Sequence, residues 1–214
     1  MGNRFPVLPV ECPSPGRVSL PLRALSALAI GGLVAGCATS PVAPQHSVRM
    51  APGLELVMPQ PDELGRSLEA TQLVTAHYGD QTLVFEGHIS ATRERLLLVV
   101  IDQLGRKALS VTLDKSGVTS ESAPWLPSTV PPENMLADII TLYWPDAVVS
   151  RALAASGGSL VATPASRSVL VGGREVIHAD YQPASADTHW VGHALYRNLP
   201  WHYDLDIRSV LTTP

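Results

Sequence analysis

The sequence predicts a mainly β fold with two helices (α+β): a strongly curved antiparallel sheet wrapped around a helix pair. Three observations carry that expectation. Apolar residues alternate with period two over most of the chain beyond residue 66, with turn residues between the runs. Between Pro131 and Ala155 the alternation gives way to helical spacing. The 19 prolines and 16 glycines among 214 residues favour many short elements over a helical bundle.

The strands follow in order. Thr71–Tyr78 precedes Gly79-Asp80, a turn pair, and Gln81–Ser90 follows with Leu83, Phe85 and Ile89 alternating with Val84, Glu86 and His88. Arg95–Asp102 (RLLLVVID) is apolar on both faces, which predicts a central strand. Gly105 turns the chain into Lys107–Asp114, whose Leu109, Val111 and Leu113 share a face, and Gly117 turns it into Val118–Ser122. These five runs predict an antiparallel meander.

Pro131-Pro132-Glu133 is a favourable helix start, with proline and an acid in the first turn. Met135, Leu136, Ile139, Ile140 and Tyr143 then recur at helical spacing as far as Trp144-Pro145. A second helix is predicted over Asp146–Ala155, stopped by Gly157-Gly158. Strand-like runs resume at Leu160–Pro164, Arg167–Val171, Glu175–Tyr181, His189–Arg197 and Trp201–Leu211. About nine strands in one sheet must curl or split, and a curved sheet wrapped around two helices is the economical solution. Leu136, Ile139, Ile140 and Tyr143 fall on one helical stripe. They are expected to face Leu98, Val100, Leu109 and Val111, and these eight are the candidate lining of an apolar cavity.

The N-terminus reads differently. Ala24–Gly36 (ALSALAIGGLVAG) is an apolar run behind Arg17 and Arg23, with the length of a secretory h-region and too short to span a bilayer. It ends in Val34-Ala35-Gly36-Cys37, which resembles the lipobox of bacterial lipoproteins. That resemblance implies cleavage between Gly36 and Cys37, diacylglycerol on the Cys37 sulfur and acylation of the new N-terminus. Cys12 would leave with the leader, so Cys37 would be the one cysteine of the mature chain and could form no internal disulfide. Residues 1–16 (MGNRFPVLPVECPSPG) carry Glu11 and several prolines, which points to a translation start downstream of Met1. Residues 37–65 are expected to be a lipidated N-terminus and proline-rich tether, and residues 66–214 a single domain.

Net charge is -4, and it becomes -6 once the three arginines and one acid of residues 1–36 are removed. No long basic run is present, so a nucleic-acid partner is not expected. An acidic body does not dock on anionic lipid by charge, so the expected attachment to the outer membrane is through acyl chains. By the same resemblance, Ala38 in place of the aspartate that retains many such proteins in the inner membrane implies an outer-membrane, periplasm-facing destination.

Leu104-Gly105-Arg106, Gly117-Val118, Leu136-Ala137-Asp138 and Tyr143-Trp144-Pro145 together resemble an uncharacterised lipoprotein family of Gram-negative bacteria, some members of which accompany aryl-polyene synthesis genes. Its order of elements is similar to that of the LolA and LolB lipoprotein-transport proteins. The resemblance spans about residues 66–211. It implies an unclosed barrel under helices, capture of an acylated or other lipophilic cargo in an apolar cavity, and no catalytic residues.

The remaining motifs do not assemble an enzyme. His189 and His193 would share one strand face, near His202, but residues four apart on a strand lie about 13 Å from each other, too far for one zinc ion. Ser156-Gly157-Gly158-Ser159 is not a nucleophile elbow, and Gly172-Gly173-Arg174 is a hairpin turn and not a phosphate loop. Asp204 and Asp206 share a solvated face with Arg208. Trp125, Trp144, Trp190 and Trp201 read as core residues. Asp138, set in an apolar stretch, is either an exposed helix position or a buried hydrogen-bond partner fixing helix to sheet. No metal and no cofactor are expected. The expected function is non-enzymatic: a lipoprotein that carries a lipophilic cargo, or alternatively a scaffold that docks another envelope protein.

Overall fold

A computed structural model describes residues 46–126, 131–183 and 189–212. Its N-terminal hairpin pairs β1 (Ser47–Ala51) with β2 (Leu54–Val57), followed by a short 3-10 helix over Pro61–Leu64. A first meander runs through β3 (Leu68–Tyr78), β4 (Gln81–Ala91), β5 (Arg95–Asp102), β6 (Lys107–Asp114) and β7 (Gly117–Ser122). Helices α1 (Pro132–Tyr143) and α2 (Asp146–Ala154) separate it from a second meander. That one comprises β8 (Gly158–Ala162), β9 (Ser166–Val171), β10 (Arg174–Pro183), β11 (Gly192–Asn198) and β12 (Tyr203–Thr212).

The first strand of one meander pairs with the last strand of the other, β3 with β12, and joins both into one antiparallel sheet of ten strands. Its order is β7-β6-β5-β4-β3-β12-β11-β10-β9-β8. The sheet is curved and does not close into a barrel, since β7 and β8 remain its edges. The doubly apolar β5 is third from an edge, and the central pair is β3–β12. Residues at alternate positions point inward: Ala70, Val74, Ile89, Leu98, Val111, Ala179, Ala194 and Ile207 are all buried.

Against that inner face sits α1, which touches β1, β6 and β7. Leu136, Ile139, Ile140 and Tyr143 are buried, as are Leu98, Val100, Leu109 and Val111, so helix stripe and sheet wall occupy the common core. Helix α2 packs against β8 and β2. Gly157, at φ 72, takes the left-handed backbone that ends the helix without steric cost. At Gly158 a Cβ would lie 2.7 Å from a Leu54 methyl and 3.1 Å from the Leu153 Cβ. The absent side chain lets β8, α2 and the hairpin meet.

One expectation is corrected here. Residues 47–64 form a hairpin and a helical turn, not a tether, and the domain begins near Ser47 and not at residue 66. Val48, Met50, Leu54, Leu56 and Met58 are buried in the core. A two-stranded hairpin leaves half its backbone groups unpaired, and these need donors from elsewhere. Asn134 of α1 donates to the Arg49 carbonyl at 2.7 Å, Asn198 of β11 to Met50 at 2.8 Å, and the Ser156 hydroxyl to Glu55 at 2.8 Å.

The junction between the helices has its own solution. Pro145 has no N–H, so the Thr141 carbonyl loses its partner four residues on. Arg167, buried on β9, donates to that carbonyl at 2.9 Å, to the Trp144 carbonyl at 2.8 Å and to the Asp146 carboxylate at 2.6 Å. Tyr181 on β10 donates to the Leu142 carbonyl at 2.8 Å. A cation at the C-terminal end of α1 also meets the negative end of its dipole. Replacement by methionine, Arg167→Met, keeps the apolar volume and strands two buried carbonyls. The expected loss is roughly 2–4 kcal/mol in chemical unfolding, with the fold retained by circular dichroism.

Candidate functional site

The described residues offer three arrangements with chemical potential: a buried acid cluster, a row of histidine–carboxylate pairs on the outer face, and two hollows.

Asp138 lies on α1 with 7% of its surface exposed. Its Oδ1 accepts from the Tyr196 hydroxyl at 2.6 Å and its Oδ2 from the Tyr203 hydroxyl at 2.8 Å. Of the two sequence readings, the structure therefore selects the internal hydrogen-bond partner. Burial pushes the carboxyl up to about 7, although both tyrosine hydrogen bonds pull it down. Burial likewise raises both tyrosine hydroxyls well above their ordinary value, so neither gives up its proton. The cluster joins α1 to β11 and β12, and its chemistry is structural.

Tyr143 and Trp144 of the same motif pack on Trp190, with ring centroids 4.4 and 6.5 Å away. Trp144 and Trp190 are buried, as predicted for core residues. Trp125 is not, being 45% exposed beneath the Arg106 guanidinium at 4.4 Å.

The outer face carries His88–Glu86 at 2.6 Å, His193–Asp206 at 2.9 Å, and His178 between Glu175 at 2.8 Å and Asp180 at 3.1 Å. His189 and His202 do not join His193 on a strand. His189 precedes β11 and stacks on Tyr181 at 3.9 Å, and His202 sits in the β11–β12 turn at φ 53. Trp190 and Val191, read as strand residues, belong to that preceding turn. Among the described residues no group of three or more His, Cys, Asp or Glu side chains is arranged to hold a metal ion.

Sequence reasoning missed one constellation. The Ser168 hydroxyl lies 3.1 Å from His178 Nδ1, and Asp180 lies 3.1 Å from Nε2, which has the outline of a serine–histidine–aspartate set. The electrostatics oppose that use. Burial lowers the affinity of His178 for its proton, but hydrogen bonds to Glu175 and Asp180 raise it further, so the net shift is upward. The ring nitrogen that would take the serine proton, Nδ1, already meets Glu175 at 2.8 Å, which makes His178 a poor base for Ser168. Only cross-strand register brings Ser168 beside His178, and no spacing motif marks it.

One hollow, of about 580 Å³, lies on the outer face among Thr71, Leu73, Val191, His193, Arg208 and Val210. The other, of about 540 Å³, is a cleft at the rim of the inner face. Three segments wall it: residues 57–60 with Glu63, the β6–β7 turn from Leu113 to Gly117, and α2 through Val148, Arg151 and Ala152, with Ala155 just beyond it. Its floor is apolar, with Met58, Leu113, Val148 and Ala152 continuous with the core. Its rim holds His46, Glu63, Arg151, Asp114 and Lys115.

None of the eight residues named as cavity candidates lines either hollow; all eight are packed in the interior. Gly36 and Cys37, the cleavage and lipidation residues, lie outside the described residues. The rim cleft joins residues from three segments distant in sequence, two of which the sequence alone presents as tether and turn.

A family described as "Protein of unknown function (DUF3261)" matches residues 69–211, from β3 to β12. The chain belongs to this family. The match contains all four motifs, from Leu104-Gly105-Arg106 to Tyr143-Trp144-Pro145, and excludes the β1–β2 hairpin. No curated protein matches the chain. Asp138 and its two tyrosines all lie within the DUF3261 match.

The folded carboxyl at about 7 lies above the unfolded value near 3.8. Its contribution to stability is therefore complete below about pH 4 and is lost as pH rises toward 7, by up to about 4 kcal/mol. Thermal melts of the wild type and of Asp138→Asn across pH 4–8 test this: the variant's profile should lose that fall. A fall of equal size in both proteins would assign it to other groups.

Proposed function

We propose that this protein is an outer-membrane-anchored, periplasm-facing lipoprotein. It binds an acylated or otherwise lipophilic cargo in the rim cleft and assists its transport or insertion. The observation that carries this reading is the cleft itself. Its volume of about 540 Å³ falls within the usual range for small-molecule sites, and its floor is formed by four core side chains, Met58, Leu113, Val148 and Ala152, whose outermost atoms alone reach the cleft. An apolar chain laid on Met58, Leu113, Val148 and Ala152 gains roughly 25 cal/mol for each Å² it removes from water. The Cys37 lipobox supports the anchor. The two carboxylates that occupy both ring nitrogens of His178 support a role without catalysis.

A second reading rests on the outer-face hollow. There Leu73 and Val210 are 49% and 55% exposed, an apolar surface on which a scaffold lipoprotein could dock another envelope protein.

Two experiments separate these readings. Ala155 is exposed at the edge of the cleft, so Ala155→Trp obstructs the cleft with little cost to the core. It should weaken binding of a fluorescent fatty acyl probe by at least about tenfold, whereas Leu73→Asp should leave it unchanged. Probe binding indifferent to Ala155→Trp would remove the cleft from consideration. Loss of a co-purifying protein in Leu73→Asp would favour the scaffold. Separately, Cys37→Ala should abolish acyl-chain labelling and move the protein from the membrane to the soluble fraction.

A further inference from the structure

The rim of the cleft carries two acids, two fixed cations and His46, and the four charged groups are not equally available. Glu63 is held by its own turn: Oε2 accepts the Gln60 N–H at 2.7 Å, and Oε1 accepts Arg151. Asp114 is held likewise, accepting the Ser116 N–H at 2.7 Å, the Ser116 hydroxyl and the Gly117 N–H, which lower its proton affinity. Both carboxylates therefore close their local turns.

The cations are bound far less. Arg151 projects from α2 with 63% of its side chain exposed and meets Glu63 through one nitrogen, leaving the rest of a five-donor guanidinium toward solvent. Lys115 occupies the tip of the β6–β7 turn on the opposite wall, exposed, its charge adding to the pull on the neighbouring Asp114 carboxylate. The cleft thus combines an apolar floor with a rim whose spare hydrogen-bonding capacity is cationic on both sides.

We propose that the cleft selects anionic amphiphiles, an acyl chain on the floor with its carboxylate or phosphate head held between Arg151 and Lys115. This rests on the cargo reading above and adds the chemistry of the head. A planar guanidinium matches either oxyanion, and an ammonium adds a point charge without geometric demand. Glu63 competes with the ligand for Arg151, so the head must displace or share that ion pair.

The test uses the mature full-length protein in detergent with a fluorescent acyl probe. Palmitate, palmitate methyl ester and palmitoyl lysophosphatidate compete for the probe. Palmitate should compete about fivefold better than its ester at low salt, with the difference shrinking in 0.5 M salt. The double variant Arg151→Gln with Lys115→Gln should erase that preference, the ester reporting in the same variant that the floor is intact. Glu63→Gln keeps the acceptor for Gln60 and releases Arg151, so it should raise palmitate affinity over wild type. Relative strength of palmitate and lysophosphatidate assigns the head as carboxylate or phosphate. Equal competition by acid and ester in the wild type overturns the anionic proposal while leaving the cargo reading in place. Failure of the probe to bind overturns both.

Discussion

Asp138 stands near the middle of α1, and its two oxygens accept from tyrosines on two different strands. A carboxyl in that position is costly to bury, and the cost falls only when both lone-pair directions find donors. Tyr196 and Tyr203 supply them only when α1 lies at one depth and one rotation against β11 and β12. An apolar stripe alone would let the helix slide or roll by a residue with little penalty. The acid and its two hydroxyls remove that freedom. The rest of the interior is arranged around the resulting position: Asn198, between the tyrosines on the β11–β12 hairpin, donates to the Met50 carbonyl and seats the N-terminal hairpin.

The second fixed point is at the other end of the helix. Pro145 breaks the helical hydrogen-bonding ladder, and the sheet completes it through Arg167 and Tyr181. Both helix–sheet anchors thus use β9–β12, the second meander, whereas the apolar contacts of α1 reach β6 and β7 in the first. The polar and apolar terms hold opposite halves of one sheet onto the same helix. This lets a sheet of ten strands curve around its contents without closing.

Much of this was legible in the residues. The β5 and β6 runs were read to their observed ends, and the two helices nearly so, because their periods differ and their boundaries carry proline, glycine or an acid. The hairpin at 47–57 is hard to read because prolines flank it on both sides, Pro41 and Pro44 before it and Pro59 and Pro61 after it. Yet Val48 and Met50, then Leu54, Leu56 and Met58, alternate on either side of Pro52-Gly53, which is a strand–turn–strand signal. Asp138 announced itself as a polar residue in an apolar run. Its partners did not, because Tyr196 and Tyr203 read as ordinary alternating strand positions. Arg167 was equally silent: nothing local distinguishes a buried cation from a solvated one. The walls of the rim cleft come from three separated segments, and only the pairing of strands and the seating of α2 bring them together.

The cleft follows from lengths. With nine residues, α2 is about 13 Å long at 1.5 Å per residue, and it packs along β8 and β2. The end of β6 and the β6–β7 turn form the facing wall of the cleft, where Leu113 points inward and is itself buried. A longer helix or a bulkier residue than Ala152 or Ala155 would cover that floor. The small side chains on this face keep the floor open, while Met58 and Val148 keep it apolar. A wall that ends early next to core residues produces a binding surface without any strained or catalytic group. Such a surface discriminates among ligands by the charges on its rim.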